Sequence, residues 1–227
     1  MREVAQKVPC LQSALDNVRN MVGHPLAGID DAEVTVDTRP ICEALNDLVS
    51  LNVETGERGN PVWGNLPRKF NIAVSGGRDD YAHTHINDIG LQPHVHAKTG
   101  EMGFNVEVGG YMSIKRVAES VDLDVWIPAT VEATTDLTAA ILRIFRDQGG
   151  RKDRQKGRLM WLIEEYGAVK EVKGHPRVSE KFRKRVIKEM STKVQKAQPK
   201  ATAPFERRSL LGVHSQPQAG KSRVGVH

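Results

Sequence analysis

Thiols are nearly missing from this chain. Cys10 and Cys42 are its whole complement in 227 residues, and they form no Cys-x-x-Cys pair. That excludes a disulfide scaffold and leaves no thiolate set for a metal cluster within the chain; two lone cysteines fit a reducing compartment, as small buried hydrophobes. No run of about 18 apolar residues exists, which leaves no candidate membrane helix, and the first 25 residues lack the basic-then-apolar pattern of a secretory signal. Aromatics make up only 5% of the chain, too few to interleave with basic helices as a stacking platform for single-stranded nucleic acid. Internal repeats are absent.

What is present suffices for a core, since 39% of residues are hydrophobic and the length allows one large domain or two small ones. Charge is segregated. Residues 151–200 hold 16 Lys and Arg against 6 Asp and Glu, whereas the rest of the chain holds 17 against 22. A cationic patch of this kind steers an acidic partner to one side of a fold.

Apolar spacing predicts a helix over 37–51 with Thr38 as N-cap and Pro40 in its first turn. Strands are expected at 70–74 and 104–108, each ending at a Gly-Gly pair and sharing one sheet. Further helices are expected over 134–148, closed by Gly149-Gly150, over 153–166, and over 179–190. From 191 the composition turns to Lys, Gln, Ala, Thr and Pro and reads as a linker. Strands with segregated helices argue for an α+β fold, a mixed sheet with packed helices.

The densest chemical signal is Leu66-Pro67-Arg68-Lys69-Phe70-Asn71. In a strand, Lys69 and Asn71 share one face while Phe70 and Ile72 share the other. Ala73 continues the polar row with little bulk, leaving room for something flat and large. An ammonium and an amide above a small residue can hold a small anion over a cofactor. Two rival constellations stand beside it. His83, His85, His94 and His96 could ligate zinc or copper, and the basic stretch could bind nucleic acid; the expectation is neither metal ligands nor nucleic acid.

The run from Asn65 to Gly77, then His85-Ile86-Asn87-Asp88-Ile89-Gly90, Gly103-Phe104-Asn105-Val106 and Val108-Gly109-Gly110 resembles the first catalytic half of the nitrite and sulfite reductase family. Upstream, Asp16-Asn17-Val18-Arg19-Asn20, Pro25-Leu26-Ala27-Gly28-Ile29-Asp30 and Asp37-Thr38-Arg39-Pro40 are similar to its ferredoxin-dependent nitrite reductases. So are Arg154-Gln155-Lys156, Arg158-Leu159-Met160-Trp161 and Leu211-Gly212-Val213-His214 downstream.

The resemblance implies sirohaem and a [4Fe–4S] cluster as cofactors, ferredoxin as electron donor, and six-electron reduction of nitrite to ammonium in nitrate assimilation. It implies Arg19, Lys69 and Asn71 as three of four anion-binding side chains, the fourth belonging to a Thr-Thr-Arg-Gln motif absent here. Arg68 is the implied partner of a sirohaem carboxylate, with Asn87, Arg151 and Arg154 as further cofactor contacts. Basic residues of 151–158 not used on sirohaem would meet ferredoxin. Sulfite reductases of the family show Lys where this chain has Asn71, which tilts the reading to nitrite; a sulfite reductase segment and a non-catalytic paralogue are the alternatives. The four cluster cysteines are not in this chain, so alone it should be inactive. The expected division is 1–65 as the end of a ferredoxin-like lobe, 66–190 as the sirohaem-type domain, 191–206 as a linker, and 207–227 as the start of a second lobe. This would be an incomplete piece of a monomeric enzyme of the chloroplast stroma or, alternatively, the bacterial cytoplasm.

Overall fold

The computed structural model describes residues 16–29, 35–77, 79–172, 174–199, 213–215 and 224–226. Its centre is a seven-stranded mixed sheet. In chain order the strands are β1 (Val18–Val22), β2 (Phe70–Val74), β3 (Ile89–Val95), β4 (Met102–Val108), β5 (Tyr111–Met112), β6 (Val117–Ala118), β7 (Val121–Pro128), β8 (Lys170–Val172) and β9 (His175–Arg177). The sheet runs β1-β2-β3-β4-β7-β9-β8, and β5 with β6 forms a separate hairpin. β1, β2 and β3 are parallel neighbours, and β4 and β7 continue antiparallel. A two-stranded pair, β10 (Val213–Ser215) with β11 (Val224–Val226), lies outside that sheet. The expected α+β class is what is found.

The sheet has two chemically different faces because paired residues in neighbouring strands point the same way. Ile72, Ile89 and Val108 fall in one cross-strand row and Ala73, Gly90 and Glu107 in the next. The apolar rows, with Phe70, Val74, Leu91, Phe104 and Val106, are fully buried under the helices. These are α1 (Arg39–Ser50), α2 (Val131–Gln148), α3 (Leu159–Glu165) and α4 (Glu180–Glu189). Phe145 of α2 packs on Phe70, ring centroids 5.4 Å apart. Among the described residues no helix is long and apolar enough to cross a membrane.

Several local expectations need correction. Thr38 occupies the N-cap position of α1 and Pro40 its first turn, as expected, but the Thr38 side chain makes no cap hydrogen bond; its Oγ1 accepts the backbone N–H of His24 at 3.1 Å instead. Gly149 closes α2 in an extended conformation, φ −65°, not in the left-handed form of a glycine cap. The helix expected over 153–166 is two pieces, a single 3-10 turn at Arg154–Lys156 and then α3, because Arg158 between them is extended. The room expected beside Ala73 is already filled. Ala73 is fully buried, and a side chain on its partner Gly90 would run into Thr84 at 2.7 Å, where the 3-10 turn Thr84–Ile86 sits over the row.

The division expected at residue 65 coincides with no break in packing, since β1 pairs with β2 across it and Val18, Ile41 and Leu45 share one core with Phe70 and Phe182. The first part of the expected linker is also held down. Gln195 exchanges backbone hydrogen bonds with Trp126 at 2.8 and 3.0 Å, and Gln198 with the Asn105 amide at 2.8 Å in both directions. The remainder, 200–206, lies outside the described residues.

Candidate functional site

Because β1, β2 and β3 are parallel, the residues just before β2 and β3 gather at one end of the sheet, and the antiparallel β4 brings Gly109 to the same end. There Gly109 donates its N–H to the carbonyl of Asp88 at 2.9 Å. Arg68 and Lys69 precede β2. β1 follows β2 in register except for one irregularity between Val18 and Asn20, whose partners are Phe70 and Asn71. Arg19 is the extra residue, placed by that bulge beside the Phe70–Asn71 step.

Two carboxylates organise the cations. Asp16 receives Arg154 through Nη1 at 2.7 Å and Arg68 through Nη1 at 3.1 Å, and it pairs with Arg19 at 4.0 Å. Burial alone would raise the Asp16 carboxyl, but hydrogen bonds from Arg68 and Arg154 outweigh it and hold the group below its ordinary 3.8. Asp88 is fully buried and takes Arg158 through Nη2 at 2.7 Å and Nε at 3.3 Å; it also accepts the backbone N–H of Asn71 at 2.9 Å. Burial raises the Asp88 carboxyl against the opposing pull of Arg158. The Arg158 guanidinium lies over the Tyr111 ring, 4.8 Å from its centroid.

Lys69 lies within this field. Its ammonium is pushed below 10.5, first by burial and then by Arg158, Arg19 and Arg68, with Asp88 opposing. The five cations Arg19, Arg68, Lys69, Arg154 and Arg158 thus face the two carboxylates Asp16 and Asp88. That surplus suits a polyanion, and guanidinium groups suit carboxylates in bidentate contact.

Of the residues expected from sequence, Arg19, Arg68, Lys69, Asn71 and Arg154 come together at this end. Arg151 and Asn87 have other partners: Arg151 ties Asn65 and the Arg146 carbonyl at 2.9–3.1 Å, and the Asn87 amide is spent on the His83 carbonyl at 2.7 Å. Asp16, Asp88 and Arg158 were missing from the expected set. Asp16 opens the motif that holds Arg19, and Asp88 and Arg158 stand in the motifs 85–90 and 158–161; nothing in the sequence says that these last two, 70 residues apart, pair.

The four histidines do not converge. His94 Nδ1 lies 3.3 Å from the Gln92 carbonyl oxygen, while His96 engages Thr99 and packs at a tilt against Trp126. Among the described residues no group of three or more His, Cys, Asp or Glu could hold a metal ion. A groove of about 560 Å³ lies elsewhere, lined by Asp124, Tyr166, Arg177 and Lys181.

The cationic end fits sirohaem, whose macrocycle carries many carboxylates. The described residues do not fit a [4Fe–4S] cluster, which needs thiolates. Cys42 is half-buried against the core on α1, and burial, with Glu43, pushes its thiol up to about 11. Cys10 lies outside the described residues.

The sequence profile of the family described as "Nitrite and sulphite reductase 4Fe-4S domain" matches residues 14–193. A ferredoxin–nitrite reductase of Synechococcus elongatus is 44% identical over 96% of this chain, and a chloroplastic ferredoxin–nitrite reductase of Zea mays is 46% identical over 96%. The chain spans 38% and 35% of those proteins. The solved structure of the Mycobacterium tuberculosis NirA protein superposes with a TM-score of 0.69 at 26% identity, covering 89% of this chain and 32% of that one. With the fold, the matched length and the relatives in agreement, the chain belongs to the nitrite and sulphite reductase 4Fe-4S domain family.

Proposed function

We propose that this chain supplies one wall of the sirohaem and nitrite site of an assimilatory ferredoxin-dependent nitrite reductase. The observation that carries the reading is the cationic end of the sheet, where Arg19, Lys69 and Asn71 lie beside the Arg68–Asp16–Arg154 cluster.

When bound, sirohaem would supply the redox-active iron for nitrite reduction. Arg68 and Arg154 hold its carboxylates as charge-assisted pairs. Arg19 and Lys69 attract and orient the nitrite anion. Lys69, with its ammonium pushed down by burial and neighbouring guanidiniums, yields a proton more readily than an ordinary lysine. The Asn71 amide adds a hydrogen bond, on a backbone fixed by Asp88. No step here passes through the iron–sulfur cluster, whose ligands we assign to residues outside this chain.

Ferredoxin is the proposed electron donor, drawn to the basic surface of 151–188, where Lys152, Lys156, Lys181, Lys184 and Lys188 are exposed. Residues 66–190 are the proposed sirohaem-type domain, whose core also takes in β1 and α1; most of 207–227, the proposed start of a second lobe, lies outside the described residues. The proposed enzyme is a monomer of the plastid stroma, a compartment supported by the word chloroplastic in the names of the Zea mays and Spinacia oleracea relatives; a bacterial cytoplasm is the alternative, supported by the organism of the Synechococcus elongatus relative.

The test is reconstitution with sirohaem, followed by Soret absorbance and a nitrite-induced difference spectrum. Stoichiometric uptake with a nitrite shift that Lys69→Gln weakens is expected. A chain that retains no sirohaem through gel filtration would overturn the reading.

A further inference from the structure

We infer that Asp16 is a positioning residue, a carboxylate that holds Arg19, Arg68 and Arg154 in the arrangement that captures an anionic tetrapyrrole; this rests on the reading of the cationic end as the sirohaem face.

A carboxylate in an anion-binding face is paradoxical on charge alone, because it weakens the field that draws the anion in. Its geometry resolves the paradox. The backbone of Asp16 is pinned where the segments meet: Leu66 donates its N–H to the Asp16 carbonyl at 2.8 Å, and Phe70 donates to the Asn17 carbonyl at 2.9 Å. From that fixed point the side chain reaches three guanidiniums from three parts of the chain. Arg19 enters from β1, Arg68 from the approach to β2, and Arg154 from the 3-10 turn 138 residues away.

Arg154 is the telling partner. Its side chain is 66% exposed, against 20% for that of Asp16. A long exposed arginine beside like charges extends into water unless something holds it. Asp16 holds it through two hydrogen bonds, Nη1 to Oδ2 at 2.7 Å and Nη2 to Oδ1 at 3.3 Å, which leaves a set of donors at fixed spacing for carboxylates on a rigid ring.

The experiment separates geometry from field because the two predict opposite signs. Uroporphyrin, a metal-free tetrapyrrole bearing carboxylates, is titrated against the purified chain and followed by tryptophan quenching. Asp16→Asn removes a negative charge. If Asp16 positions, the affinity falls about 10- to 100-fold, the range for residues that orient a ligand-holding group. If only charge matters, it rises. Asp16→Glu keeps the charge and moves the carboxylate by one methylene, so positioning predicts an intermediate loss and a pure field predicts none; this variant decides should Asp16→Asn fail to fold. Without ligand, the guanidinium proton signals of Arg68 and Arg154 are restrained in the wild type and averaged in Asp16→Asn. Unchanged signals, or unchanged or tighter binding by the variants, would overturn the role of Asp16. Failure of the wild-type chain to bind uroporphyrin at all would instead overturn the reading of the face itself, and the inference with it.

Discussion

Arg158 grips Asp88 with two hydrogen bonds across 70 residues of sequence, and both side chains are buried, at 5% and 0% exposure. The pair joins the start of α3 to the start of β3, and through the Asn71 N–H it also fixes the start of β2. Removing one partner strands the other charge in the interior. Asp88→Ala is therefore expected to lower unfolding free energy by about 3–5 kcal/mol in urea titrations. A loss under about 1 kcal/mol would mean that Arg158 escapes to water.

Acid stability should carry the signature of Asp16. Its folded carboxyl lies below its ordinary 3.8, so its stabilising contribution is complete above about 3.8 and drains away as pH falls through the lower folded value. Thermal melts between pH 2 and pH 6 should show a steeper acid limb in the wild type than in Asp16→Asn. Parallel limbs would count against the ion pairs.

Helix caps offer a contrast between two hydroxyls. Ser179 caps α4 by accepting the N–H of Phe182 and also donates to the Tyr166 carbonyl at 3.0 Å; Ser179→Ala should cost about 1 kcal/mol. Thr38 makes no cap bond but accepts the N–H of buried His24. Thr38→Ser keeps that acceptor and removes only a buried methyl, so it should cost about 1 kcal/mol, and chemical denaturation of both variants measures the two losses.

Substrate choice is proposed to turn on Asn71. In a complete enzyme carrying this segment, Asn71→Lys should shift the ratio of kcat/KM for sulfite over nitrite upward, about tenfold for one charge-assisted contact. Steady-state assays with both anions decide it, and an unmoved ratio would remove Asn71 from the specificity argument.

The sequence disclosed the elements whose pattern is local. Phe70 to Val74 alternates and is a strand, and the apolar stripe of α2 is read directly. It hid the strands whose logic is tertiary. β3 contains Gly90 and Pro93, which read as a loop, yet Pro93 sits opposite Phe104 within the antiparallel ladder. β7 carries Asp122 and Asp124, acids that its burial tolerates because Arg177 and Arg183 reach them from more than 50 residues away. The candidate site divides in the same way: its residues stand in motifs, Asp88 and Arg158 included, whereas the pairings that assemble them, Asp88 with Arg158 and Asp16 with Arg68 and Arg154, span the fold.

The parallel pairing of β1 with β2 carries a consequence for folding. Val18 must find Phe70, and Arg154 must find Asp16 138 residues back, so the cationic end has no local precursor on the folding pathway. Arg19, Arg68 and Arg154 become neighbours only once those distant partners have met, and no excised peptide, however faithful its motif, can stand in for the set.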